Sequence, residues 1–103
     1  MSQSLSPLYA KLLGETARIS WQELQPFFAR GALLRVAPGE DLVAIAEGLA
    51  EDDRERVAAW LATGALCKVE AEHAQDYLAR DPQLWAVVVA PWVVIQERAA
   101  AEG

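Results

Sequence analysis

One cysteine, Cys67, and one histidine, His73, are all that the chain's 103 residues contain of the two side chains most used to hold zinc. A Cys/His or three-histidine zinc site therefore cannot be assembled within one chain. A lone thiol also leaves no disulfide framework, which fits a reducing cytosol better than a secreted setting. Gly31, Gly39, Gly48 and Gly64 stand isolated, and neither G-x-x-x-x-G-K nor G-x-G-x-x-G occurs, so no phosphate cradle is expected. Basic residues are scarce: nine Lys and Arg against fifteen Asp and Glu leave a net charge of -6, which repels phosphate backbones and anionic headgroups. The longest apolar run, Leu84 to Ile95, falls short of the roughly 20 residues that span a bilayer and contains Pro91. Met1 to Pro7 is polar and lacks the charged and apolar regions of a signal peptide. The expectation is a cytoplasmic protein with no membrane partner and no cofactor, for which nucleic acid is disfavoured.

What is present reads as a small globular protein. Hydrophobic residues make up 53% and charged ones 23%, enough apolar surface for one core and too few residues for two. A single domain over 1–103 is expected, with 1–4 and 99–103 as flexible tails. Leu5, Leu8, Tyr9, Leu12 and Leu13 share one helical face, predicting a first helix from about Ser4 to Ala17. Ser20 and Glu23 have the spacing of a capping box at the head of a second helix, buried through Leu24, Phe27 and Phe28 and ended by Gly31. G-A-L-L-R-V then predicts a short strand.

Asp41 caps a third helix buried through Leu42, Ile45, Ala46 and Leu49. The run Glu51, Asp52, Asp53 supplies an N-cap for a fourth, Asp53 to Thr63, buried through Val57, Trp60 and Leu61 and ended by Gly64. G-A-L-C-K-V predicts a second strand, and Ala71 to Ala79 a short helix stopped by Asp81 and Pro82. The segment L-W-A-V-V-V-A-P-W-V-V-I-Q-E, Leu84 to Glu97, is apolar on both parities and rich in β-branched residues. That favours a long strand covered on both faces over a competing helix, with Pro91 marking a bend, a bulge or a lost ladder bond. The helix, glycine, strand unit recurs after 33 residues, so its two apolar stripes are expected at equivalent places.

These segments predict an α+β fold, a helix-rich single domain with a small three-stranded sheet. Setting aside the first helix and treating the short one as an insertion gives a winged-helix-like order, with Asp41 to Ala50 and Asp53 to Thr63 as the helix-turn-helix. That is an analogy of fold and carries no function with it.

Three stretches carry a family signal: L-Y-A-K-L-L-G-E-T-A-R-I-S-W at Leu8 to Trp21, V-A-A-W-L-A-T-G-A-L-C-K-V at Val57 to Val69 and L-W-A-V-V-V-A-P-W-V-V-I-Q-E at Leu84 to Glu97. On them the sequence resembles a family of short, uncharacterised bacterial proteins, a domain of unknown function. The resemblance implies a stand-alone bacterial domain and brings no catalytic, metal or binding residues with it.

Acidity is concentrated in the middle: residues 37–82 hold eleven acids and four bases, net -7, and the flanks net +1. Glu51, Asp52, Asp53 and Glu55 could attract a hard cation, but they lack the spacing and glycine of a calcium loop and suit a helix start without one. His73 reads as an exposed helix residue and Cys67 as a small strand residue, so no catalytic and no metal-ligating residue is assigned. The candidate interaction surface is Asp52, Asp53, Arg54, Glu55, Arg56 and Trp92. Three functions follow in order: a non-enzymatic protein-interaction or regulatory module, through a protein partner or self-association; a DNA-binding winged helix whose Arg54 and Arg56 would read guanine edges; and a small enzyme, for which no nucleophile, base and orienter assemble.

Overall fold

Ten elements follow one another in the computed structural model, which describes residues 6–98. They are α1 (Pro7–Glu15), β1 (Ala17–Ile19), α2 (Trp21–Ala29), β2 (Leu33–Val36), α3 (Leu42–Ala50), α4 (Arg54–Thr63), β3 (Leu66–Lys68), α5 (Ala71–Arg80), β4 (Leu84–Val89) and β5 (Trp92–Glu97). The expected tails, 1–4 and 99–103, lie outside the described residues, as do Ser4 and Leu5 of the expected first helix. Helix starts are set by short polar side chains that satisfy otherwise orphaned amides. Ser20 accepts from the Glu23 N–H, Asp41 from those of Val43 and Ala44, and Asp53 from that of Arg56. Gly31 and Gly64 follow α2 and α4 at φ 72° and 85°, a left-handed conformation that costs glycine nothing.

All five strands form one sheet in the order β1-β4-β5-β2-β3, with β2 and β5 parallel and the other neighbours antiparallel. The expected three-stranded sheet is thus corrected to five, for two reasons. First, α1 stops at Glu15 because Thr16 turns extended (φ -74°, ψ 128°), which frees Ala17–Ile19 to pair with Leu84–Ala86. Second, the expected long strand is a hairpin: Ala90 and Pro91 form its turn, joined by a cis peptide, and Val89 pairs with Trp92. Strand rather than helix is what the β-branched run adopts.

Side-chain alternation divides the sheet into two apolar faces. Leu34, Val36, Leu66, Val87, Val89 and Val94 meet α1, α3 and α4 on one. Leu33, Leu84, Ala86, Val93 and Ile95 meet α2 and α5 on the other. The result is a mixed α+β domain with helices on both faces of the sheet. The winged-helix order fails here, because neither helix it sets aside is dispensable: α1 buries Leu12 on the first face and α5 buries Tyr77 on the second.

The repeated unit keeps its local relation and inverts its place. The α2 stripe lies in one cluster with Leu33, which follows it, and the α4 stripe in one cluster with Leu66, which follows it. Yet β2 and β3 are antiparallel, and the two helices lie on opposite faces. Leu24 is fully buried, whereas Val57 and Trp60 are half-buried and Leu61 is 52% exposed. No described helix is long and apolar enough to cross a membrane.

Candidate functional site

The residues singled out by sequence gather only in part. Asp52 (φ 56°) and Asp53 make the turn between α3 and α4, with Arg54, Glu55 and Arg56 as the first residues of α4. Arg54 Nε lies 3.6 Å from Asp52 Oδ2 and Arg56 Nη1 3.8 Å from Asp53 Oδ2. The Arg56 guanidinium also sits 5.0 Å from the Trp60 ring centroid. These charges answer one another within a turn of chain, and the carboxylates suit the positive end of the helix dipole. Trp92, at the head of β5, packs against the core beneath α1, α3 and α4. Among the described residues no hydrogen bond or ion pair links it to the acidic turn.

The chain's one histidine and one cysteine both have partners elsewhere in the fold. His73 accepts the Glu70 N–H on Nδ1 at 2.9 Å, capping α5. The Cys67 Sγ accepts from Arg35 Nη1 at 3.7 Å, while Arg35 Nε donates to the Tyr77 hydroxyl at 3.2 Å. Among the described residues no group of three or more His, Cys, Asp or Glu side chains is placed to hold a metal ion. A polar clamp ties α5 to β5: Arg80 donates to Asp76 at 2.6 and 2.7 Å and to Glu97 at 2.8 and 2.9 Å. The Arg80 hydrogen bonds hold both carboxyls below the ordinary carboxylate range.

Apolar surface is left open at one corner, where β1 ends and the β4–β5 hairpin turns. β1 has three residues and reaches only Ala86 on β4, so β4 runs on past it through Val87–Val89. Val88 faces the α2 side of the sheet, yet neither α2 nor α5 reaches over it and it is 61% exposed. Two hollows of about 350 and 210 Å³ adjoin there, both lined by Phe27, Val88 and Val93. Pro91, Trp92 and Arg30 border the larger, and Ala17 and Arg18 the smaller. The Arg30 guanidinium lies 4.8 Å from the centroid of the Phe27 ring.

Of this corner, sequence reading singled out Trp92 alone. Val88 carries no signal of exposure, because a valine in an apolar run reads as core until the length of the neighbouring strand is known. Arg30, just beyond the Phe27–Phe28 pair, was open to notice as a cation one helical turn from an aromatic ring.

The model of a family described as protein of unknown function (DUF2288) matches residues 7–97. Among solved structures, the chain is similar to PA1075 from Pseudomonas aeruginosa, determined in solution by NMR, at 68% identity and a TM-score of 0.81. That match covers 100% of this chain and 95% of PA1075. No curated protein matches the sequence.

Proposed function

We propose that this chain, which belongs to that family of proteins of unknown function, is a non-enzymatic protein-interaction module that docks its partner on the open corner. One observation carries the reading: Val88, in a strand otherwise buried, is 61% exposed between two apolar hollows. Single exposed apolar residues are ordinary on protein surfaces, and Leu13, Leu61 and Leu78 need no further account. Val88 differs because aromatic, aliphatic and proline side chains surround it, the anatomy of an interface centre, with Arg18 and Arg30 at the rim. The acidic turn is a poorer candidate, since its arginines already have carboxylate partners. The same pairing counts against the DNA-binding reading, and the engagement of His73 and Cys67 against a small enzyme.

Photo-crosslinking tests the module. A photoreactive side chain placed at position 88 should give discrete protein adducts in the cells that produce the chain, whereas one at the exposed Glu72 on α5 should not. Equal labelling from both positions, or none from 88, would rule the corner out as the docking surface.

A further inference from the structure

We infer that the occupant of the corner is an extended segment of a protein partner, added at the β4 edge, with an apolar residue on Val88 and a carboxylate two residues away facing Arg30. The inference rests on the docking reading above and specifies the partner's chemistry. Its first support is the hydrogen-bond phase of β4. The Arg98 N–H donates to the Gln83 carbonyl at 3.0 Å, so residues 83, 85, 87 and 89 aim their backbone groups at β5. Residues 84, 86 and 88 then aim theirs the other way. Leu84 and Ala86 meet Ile19 and Ala17 of β1, but among the described residues no strand lies opposite Val88. One N–H and one C=O thus stand at an open edge beside an exposed apolar side chain, the arrangement used when a peptide adds a strand to a sheet.

Charge selects the segment. The molecule carries a net -6, yet the charged residues bordering the two hollows are Arg18, Arg30 and Glu15. Among the described residues Arg30 makes no ion pair, so its guanidinium, laid against Phe27, keeps its donors for an incoming carboxylate. The acidic turn between α3 and α4 lies on the other face of the sheet, and screening over about 8 Å at physiological salt weakens its influence here. Side chains alternate along a strand, so a residue directly opposite Val88 shares its face, and so do those two places away. An apolar residue over Phe27 and Val88 therefore puts residues two places away on the face that carries Arg30.

The probe is the synthetic peptide Thr-Glu-Thr-Leu-Thr-Glu-Thr, capped at both ends, whose acids lie two residues from the leucine in either chain direction. Titrated into isotope-labelled protein and followed by amide and indole NMR shifts, it should perturb Val88, Phe27, Ala17 and Trp92. Replacing its leucine by serine should abolish those shifts, and replacing both acids by lysine should weaken binding. Arg30→Gln should weaken the acidic peptide about two- to fivefold, the range of one exposed charge pair, and leave the lysine peptide unchanged. Val88→Asp should abolish binding. Val88→Thr keeps the β-branched shape should the aspartate variant fail to fold, and it should weaken binding too. Shifts centred elsewhere, no shifts, or equal binding of acidic and basic peptides would overturn the inference. So would a second copy filling the corner, seen as concentration-dependent shifts at Val88 without peptide. In each case adducts from position 88 would still decide separately whether the corner docks a protein at all.

Discussion

A methyl group on Gly48 would stand 2.6 Å from Cη2 and 2.7 Å from Cζ3 of Trp60, closer than carbon atoms approach without something moving. This glycine is how α3 and α4 come together: the outer edge of the indole's six-membered ring stands where a side chain would otherwise project. Two effects of opposite sign meet in Gly48→Ala. In a helix interior the change ordinarily stabilises by about 0.5–1 kcal/mol, whereas forcing a methyl into an occupied site costs about 1–3 kcal/mol. The indole is a rigid ring packed against the core, so it cannot swing away from the methyl without giving up that packing; the clash should win and Gly48→Ala should lower the urea midpoint. In a Trp60→Leu background, where the ring is gone, the same change should become neutral or stabilising, a non-additivity that a double-mutant cycle reads directly. Gly48→Ala as stable as the parent would mean the ring is not seated on Gly48. Trp60 itself is half-buried, so truncating it should cost less than the loss of a fully buried aromatic.

Among the elements, α5 is joined to the sheet both by Tyr77 and by the Arg80 clamp on Asp76 and Glu97. Both carboxyls are held low by Arg80, so their ionised forms favour the folded state. The stability they contribute is present above their unfolded values and is lost as pH falls below about 4. Glu97→Gln should therefore lower the urea midpoint at pH 7, and the gap to the parent should narrow progressively as pH falls below the ordinary carboxylate range and the parent's own carboxyl takes up its proton. A gap unchanged by pH would assign the effect to packing. At this scale the sequence was legible where local chemistry decides: Ser20, Asp41, Asp53, Gly31 and Gly64 mark helix ends through side-chain and φ preferences that need no distant partner. It failed where pairing decides. Ala17–Ile19 is a strand only because Leu84–Ala86 lies beside it, and its apolar and charged residues are equally at home in the last turn of a helix. Pro91 was visible as a break, but whether β5 continues past β4 or folds back on it depends on β2, 55 or more residues earlier, offering β5 a parallel edge.

For the molecule as a whole, two helices cover one face of the sheet and three the other, and the corner at Val88 follows from α2 and α5 not reaching the hairpin turn. Periodicity predicts which side chains are apolar, not how far a covering helix extends, so the corner could not be read from the chain. Charge, by contrast, was legible as composition, and the structure now gives it a layout that bears on nucleic acid. The arginines form no continuous stripe: Arg30, Arg56 and Arg98 lie over Phe27, Trp60 and Trp85, and Arg80 is committed to Asp76 and Glu97. On α4, where a recognition helix would have to be, Arg54 and Arg56 pair with Asp52 and Asp53, so a phosphate would have to displace carboxylates that move with the helix. Binding to DNA gains mainly from counterions released as cations neutralise phosphates, and on a chain of net charge -6 without a basic stripe that gain is small. Fluorescence anisotropy with mixed-sequence duplex at low salt, where such binding is strongest, should show no submicromolar affinity. Arg54→Ala and Arg56→Ala should leave that result unchanged. Submicromolar binding that weakens steeply with added salt would reverse the preference for a protein partner, and loss of it in the two arginine variants would place the contact on α4.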